Sequence, residues 1–338
     1  MLQFTLTRVI DGNTFLAENR SLKKRSKFST WKRKLEQVYC FKSDKQELYL
    51  LVCVFGLTQK PVHQLYRFTE QRYSPSNSRA TIRLNSLEGL RSIETQNLNA
   101  KVQDENEGKL NIVSSNKNQL PRASKDSPDF SINHRIISSR DTFFDVLSSQ
   151  LGIGNPDRLS KMIQTEIVHG VETNALIYCL TSLQSESISQ LKKISHSIEP
   201  SYDSCSKLEI STEQFAKFLV EAIVNQIINK NKSVCRLAKS THLIELTHGS
   251  VTYSDSKLGF APDENFSDKD YILKASFDKE RQFEHQSEYR FLIDFNQTQL
   301  PEIITKRLIK PELFHSIHIN QSEILTLPID NDFFTKIY

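Results

Sequence analysis

Tyr289, Phe291, Ile293 and Phe295 recur at every second position, and Glu288, Arg290, Leu292 and Asp294 fill the places between them. A backbone with this period turns one face to a core and the other elsewhere, so the stretch predicts a half-buried strand. That strand constrains the rest of the fold. It needs neighbours in a sheet, and its mixed-charge face must be met by water or by a site. Glu288 stands at the strand entrance, Arg290 points the same way two residues on, and Gln286 shares that side if the strand begins early. A carboxylate fixed beside a cation and an amide can hold a ligand hydroxyl or stabilise positive charge as it develops. The alternative is a solvated face on which Glu284, Glu288 and Arg290 pair weakly.

A chain of 338 residues is long enough for two domains. The 25% charged residues and the mean hydropathy of −0.45 indicate a soluble protein. The start, MLQFTLTRVIDGNTF, lacks the basic-then-apolar pattern of a signal peptide, and no apolar run approaches the roughly 18 residues a membrane span needs. The expected compartment is the cytoplasm, with no membrane partner. Cys40, Cys53, Cys179, Cys205 and Cys235 form no CxxC pair and no zinc-spaced cluster, so reduced thiols and no metal are expected.

Charge is unevenly spread. Residues 1–91 carry 17 Lys and Arg against 7 Asp and Glu, which leaves 27 against 33 for the remainder. A basic front on a mildly acidic back suggests an anionic partner for the front. The densest stretch is 20–34, where eight cations are interleaved with Phe28 and Trp31. Here Lys23, Lys24, Arg25, Lys27, Lys32, Arg33 and Lys34 can neutralise phosphates while Trp31 stacks on a base, so a nucleic acid or acidic protein is the expected partner. The bland alternative is a flexible basic loop with Trp31 folded into the core.

Several elements are legible in order. Residues 3–10 alternate as a strand, and Asp11-Gly12-Asn13 signals a hairpin returning through Thr14–Leu16. Leu48–Gly56 is a continuous apolar run that predicts a buried central strand, with Val62–Phe68 as its neighbour. Residues 1–96 thus read as a small, basic, β-rich domain. Residues 97–131 are polar and poor in aromatics, a linker or mobile loop by composition. Beyond it, Asp141–Leu151 and Arg158–His169 predict helices, Asn174–Thr181 a strand and Leu208–Ile210 a brief one. A long helix starts at Ser211-Thr212-Glu213, with Phe215, Phe218, Leu219, Ala222 and Ile223 at helical spacing as core residues. A hairpin through His248-Gly249 and closing strands at 314–320 and 324–327 complete the reading. The fold class expected is α+β. Asp255, Asp263, Glu264, Asp268 and Asp270 are acidic but follow no metal-site spacing.

The order of landmarks in the back half carries a resemblance. Ser182 follows an apolar strand, Phe215 lies on the long helix, Gly249-x-Val251-x-Tyr253 comes next, and Lys274, Phe283 and Glu288-Tyr289-Arg290 follow. Over residues 133–325 this resembles an uncharacterised bacterial domain family with a Lys…Phe-x-x-Glu…Glu-Tyr-Arg signature, and its arrangement looks like the ADP-ribosyltransferase scheme. The resemblance implies that residues 132–338 form a catalytic domain of ADP-ribosyltransferase-like split-sheet type that uses NAD as substrate. It gives Glu288 the catalytic role and has Gln286, of a Gln-x-Glu motif, orient the acceptor. Ser182, Tyr253, Lys274 and Arg290 would line the cofactor pocket, and His134 and Arg135 are the nearest candidates for early NAD contacts. No His-Gly-Thr or Arg-strand signature surrounds residue 134, and Tyr289-Arg290 also suits a structural ion-pair network. The function so implied is an NAD-consuming or ADP-ribosyl-transferring effector of a toxin or antiviral defence system. The alternative is a non-enzymatic subunit that binds nucleic acid or protein.

Overall fold

The computed structural model describes residues 4–7, 33–43, 49–57, 63–76, 81–87, 89–90, 109–114, 134–138, 167–173, 175–184, 186–230, 241–255, 268–295, 314–315, 324–329 and 331–338. Helices and a large mixed sheet make the fold broadly α+β. The large sheet has twelve strands among the described residues. Its first five are β1 (Phe4–Thr7), β2 (Arg33–Ser43), β3 (Tyr49–Leu57), β4 (Gln64–Thr69) and β5 (Thr81–Ser86). A separate three-stranded sheet joins β6 (Lys109–Ser114), β7 (His134–Ser138) and β8 (Ile167–Thr173), with β8 in the middle.

The remaining strands are β9 (Leu176–Leu183), β10 (Ser204–Leu208), β11 (Thr241–Ser250), β12 (Thr252–Ser254), β13 (Asp278–Glu280), β14 (Glu288–Asp294), β15 (Phe314–His315), β16 (Ile324–Pro328) and β17 (Phe334–Lys336); β12 and β13 pair in parallel as a sheet of their own, and the other seven complete the large one. The main path of the large sheet runs β1-β2-β3-β11-β14-β9-β4-β10-β17. β3 lies parallel to β11, from Thr241 opposite Tyr49 to His248 opposite Gly56. The strands of the basic front therefore share one sheet with those of the back half, and a cut between residues 96 and 132 would divide that sheet.

Among the described residues, three helices cover the sheet: α1 (Ile188–Ile198), α2 (Thr212–Lys230) and α3 (Asp268–Phe277). α1 begins in a reciprocal cap, in which the Ser187 hydroxyl accepts from the Gln190 backbone and the Gln190 side chain accepts from the Ser187 backbone. Phe215, Ala216, Leu219, Val220, Ile223 and Val224 form the buried stripe of α2, while Phe218 and Ala222, expected in it from their spacing, lie half-buried at its edge. They pack on Val52 and Val54, Ile244 and Leu246, Leu176, Tyr178 and Leu180, and Tyr289, Phe291 and Ile293. On the opposite face, Leu273 and Phe277 of α3 meet Ile177 and Leu292, while Leu191 and Ile198 of α1 meet Tyr66, Phe68 and Cys205. α3 also lies against β8 and β6, so it sits between the large sheet and the three-stranded one.

The strand expectations meet mixed outcomes. β3 is a central strand, β14 begins at Glu288, and β9 and α2 fall close to where the pattern places them. β4, however, is not the neighbour of β3. It pairs with β9 and β10, with β11, β14 and β9 inserted between. No hairpin forms at His248-Gly249, because β11 runs straight through both residues. Gly249 answers a packing need instead, since a Cβ there would lie 2.7 Å from the Cβ of Leu57. Within the stretch read as linker, 109–114 forms β6, and the last residues of the helix expected over 158–169 belong to β8. The hairpin at 11–16 and the helix at 141–151 lie outside the described residues. No described helix is long and apolar enough to cross a membrane.

Candidate active site

β9 changes partner along its length. Its first residues pair with β5, Leu176 opposite Ser86 and Ile177 opposite Asn85. Its last pair with β4, Thr181 opposite Tyr66 through Leu183 opposite Gln64. Between them, residues 178–180 have β14 on one side and no described strand on the other. Backbone groups left without a ladder need other partners. The Cys179 carbonyl finds one in Arg67 of β4, whose Nη1 donates to it at 2.8 Å.

A cavity of about 190 Å³ lies at this split. Its lining draws on both faces of β9, with Ile177, Cys179 and Thr181 from one and Tyr178 and Leu180 from the other. Glu288 and Arg290 of β14, Arg67 of β4, Arg83 and Asn85 of β5, and Lys279 and Gln286 contribute the polar wall, with Tyr66, Tyr178 and Tyr202 among the rings. Four cations thus face one carboxylate, so the cavity is positive overall.

Glu288 is delivered by a local device. Residues 281–286 form a 3-10 turn, and Ser287 then adopts a left-handed conformation (φ 44°, ψ 49°) that turns the chain into β14. The Ser287 carbonyl accepts from the Ser182 amide at 2.8 Å, and the Glu288 amide donates to the Tyr253 hydroxyl at 2.8 Å. With its backbone fixed, the Glu288 carboxylate is held at both ends. Oε1 accepts from Lys279 Nζ at 2.8 Å. Oε2 accepts from Arg290 Nε and Nη2, each at 2.7 Å. Arg290 is 1% exposed and also donates through Nη1 to the Ser276 carbonyl. Lys279 donates as well to the Gln286 side-chain oxygen at 3.0 Å and lies over the Phe283 ring.

The sequence-derived residues therefore separate into groups. Glu288, Gln286 and Arg290 come together in one wall of the cavity. Tyr253 stands behind that wall. Burial pushes its phenol well above the ordinary range, the Glu288 charge adds to the rise, and it stays a neutral hydroxyl at physiological pH. Ser182 supports the wall through its backbone, its side chain alternating away from Thr181. Lys274 is elsewhere: it pairs with the buried Asp278, which also accepts from Ser254 Oγ at 2.9 Å. His134 and Arg135 lie on β7 in the small sheet, opposite Thr173 and Glu172. Their side chains are outside the described residues.

In the basic stretch, Lys23, Lys24, Arg25, Lys27, Trp31 and Lys32 lie outside the described residues. Lys34 is exposed, but Arg33 folds inward. Its guanidinium pairs with Glu245, lies 3.7 Å from the centroid of the Phe55 ring and donates to Thr247 at 3.3 Å. A cation so committed is poorly placed to meet a phosphate.

Two arrangements were not anticipated from the residue pattern. Arg67 lies in a strand otherwise read as apolar, and the break in LYRF was its only signal. A buried chain also runs from Glu36 through His248 to Tyr289, with Nε2 to Oε2 at 2.7 Å and Nδ1 to the hydroxyl at 2.6 Å. Its signal was Tyr289 on the core face, because a buried phenol needs a partner. Among the described residues, no group of three or more His, Cys, Asp or Glu is placed to hold a metal. Compared with models of known protein families, with characterised proteins and with solved structures, the chain matches none.

Proposed function

We propose that the cavity at the sheet split binds NAD and that the chain cleaves its nicotinamide–ribose bond, with Glu288 as the catalytic carboxylate. The observation that carries this reading is a carboxylate at a strand entrance, fixed by Lys279 and Arg290, in a cation-rich cavity lined by tyrosines. When the C1′–N bond breaks, its electron pair leaves with nicotinamide and positive charge builds on the ribose. A carboxylate already in place offsets that charge without reorganising. Water or an acceptor hydroxyl then adds at C1′ through an oxygen lone pair and releases its proton to solvent water. Gln286 holds Lys279, and through it the carboxylate, in register.

Whole ligand pockets usually span roughly 300–1,000 Å³. At about 190 Å³ the cavity takes one end of a dinucleotide, and the other end projects from its mouth. The split sheet and the position of Glu288 suit the ADP-ribosyltransferase scheme that the sequence resembles. In a cell such chemistry fits a toxin or antiviral effector.

Glu288→Gln is the informative variant, because the amide keeps an acceptor for Arg290. Its NAD consumption, followed by chromatography of released nicotinamide, should fall by about 100-fold or more. Circular dichroism should match wild type. Equal turnover by both proteins removes the enzymatic reading.

A second reading rests on a specific observation: both oxygens of Glu288 already serve cations. A carboxylate so engaged also suits a binding module that holds an anion without changing it. In that case no nicotinamide is released by either protein, and Glu288→Gln tightens anion binding by removing a negative charge. Basic residues 20–34 would then supply a separate contact to nucleic acid, recognised by steep loss of binding with salt.

A further inference from the structure

Arg67 is half-buried beside the cavity and pairs with no carboxylate among the described residues. Its hydrogen bond goes to the Cys179 carbonyl, and its guanidinium lies 5.2 Å from the centroid of the Tyr178 ring. One of its five N–H groups is thereby used. Glu288 is within electrostatic reach, yet its oxygens are held by Lys279 and Arg290. Arg83, also in the lining, has no ion-pair partner among the described residues. The other enclosed cations, inside and outside the cavity, are matched: Arg33 with Glu245, Lys274 with Asp278, and Lys279 and Arg290 with Glu288. Withdrawing a charge from water without a counter-charge is costly, so the exception marks a place where one is supplied from outside.

Two further lining residues carry unmet polar atoms. The Tyr178 hydroxyl and Asn85 Oδ1 are buried with no hydrogen-bond partner among the described residues. Burial pushes the Tyr178 phenol up to about 12, against the lowering pull of Arg67, so it stays a donor at neutral pH. A guanidinium with spare N–H groups, a second arginine and a buried phenol donor form an acceptor-seeking wall. Asn85 Oδ1 seeks a donor.

We infer that Arg67 and Arg83 hold the phosphoryl oxygens of the ligand, a compound bearing a diphosphate, and that Arg67 at the same time ties β4 to β9 across the split. This deepens the reading of the cavity given above, but it concerns recognition and does not require turnover. The ligand's negative charge completes Arg67, and Arg67 passes the gain to the sheet through the Cys179 carbonyl. Binding and stability of the sheet are coupled for that reason.

The test uses inorganic pyrophosphate with the full chain, followed by titration calorimetry and by thermal denaturation. Wild type should bind it, with a raised midpoint and an affinity that falls with salt. Arg67→Met should weaken binding at least 10-fold, and Arg83→Met by several-fold, because Arg83 is exposed where Arg67 is half-buried. Arg67→Lys keeps the charge and should recover part of the loss, which protects the test if the methionine variant does not fold. No binding by wild type, or unchanged affinity in a folded Arg67→Met, overturns the inference. Glu288→Gln separates the two proposals. Pyrophosphate bound at least as tightly by that variant, with no nicotinamide released by wild type, keeps this inference and sinks the catalytic one. Nicotinamide release that pyrophosphate does not inhibit does the reverse.

Discussion

Arg290→Met should destabilise the fold by about 3–5 kcal/mol in chemical denaturation, the range for breaking a buried ion pair by removing one partner. Arg290 is 1% exposed and serves the Glu288 carboxylate and the Ser276 carbonyl together. Methionine fills a similar volume but donates nothing, so the loss is electrostatic more than steric. Glu288 would remain enclosed with Lys279 alone, and Ser276 would lose a donor. Glu288→Gln combined with Arg290→Met should cost less than the sum of the single changes, because charge and counter-charge leave together. A stability within 1 kcal/mol of wild type for Arg290→Met would mean that the carboxylate is solvated and the wall not built as described. The same reasoning makes Glu288→Ala a poor probe of catalysis, since it strands two enclosed cations and confounds activity with folding.

Phe215→Ala should cost a similar amount, about 3–5 kcal/mol, for a different reason: loss of burial plus a cavity the core cannot refill. Phe215 is fully buried at the start of α2 and joins the helix to three parts of the sheet. Its ring centroid lies 5.1 Å from Phe291 of β14, edge to face, 5.6 Å from Tyr178 of β9 and 5.8 Å from Phe334 of β17. Tyr178 is also a cavity-lining residue, so the variant should weaken pyrophosphate binding in proportion to the disorder it brings to β9. Phe215→Leu should recover more than half of the stability. Equal denaturation midpoints for alanine and wild type would show that α2 is not seated on the sheet through this residue.

The parts of this architecture visible in the residues were those with a local period. Alternation over 288–295 located β14, and helical spacing over 215–223 located α2 and part of its buried stripe. Sheet order was not visible, because β4 follows β3 closely in the chain yet lies four strands away from it. That separation is set by pairings between distant segments, and no short pattern encodes it. The polar face of β14 misled in another way. Glu288, Arg290 and Asp294 look like a wetted surface when read one at a time, but Arg290 and Asp294 are each 1% exposed, and Lys279 of β13 and the Ser276 carbonyl of α3 meet Glu288 and Arg290. Arg33 shows the converse, a cation in a basic run that turns to Glu245 and the Phe55 ring. His248-Gly249 resembled a turn because glycine punctuates chains, although here it admits Leu57 to close approach.

The parallel seam between β3 and β11 bears on how this chain can be handled. Eight register pairs stitch residues 49–56 to 241–248. A fragment made of the front alone would present the bare edge of β3, and one made of the back alone the bare edge of β11. Each is a template for unwanted aggregation when left uncovered. The two pieces are better produced together, where each supplies the lid the other lacks.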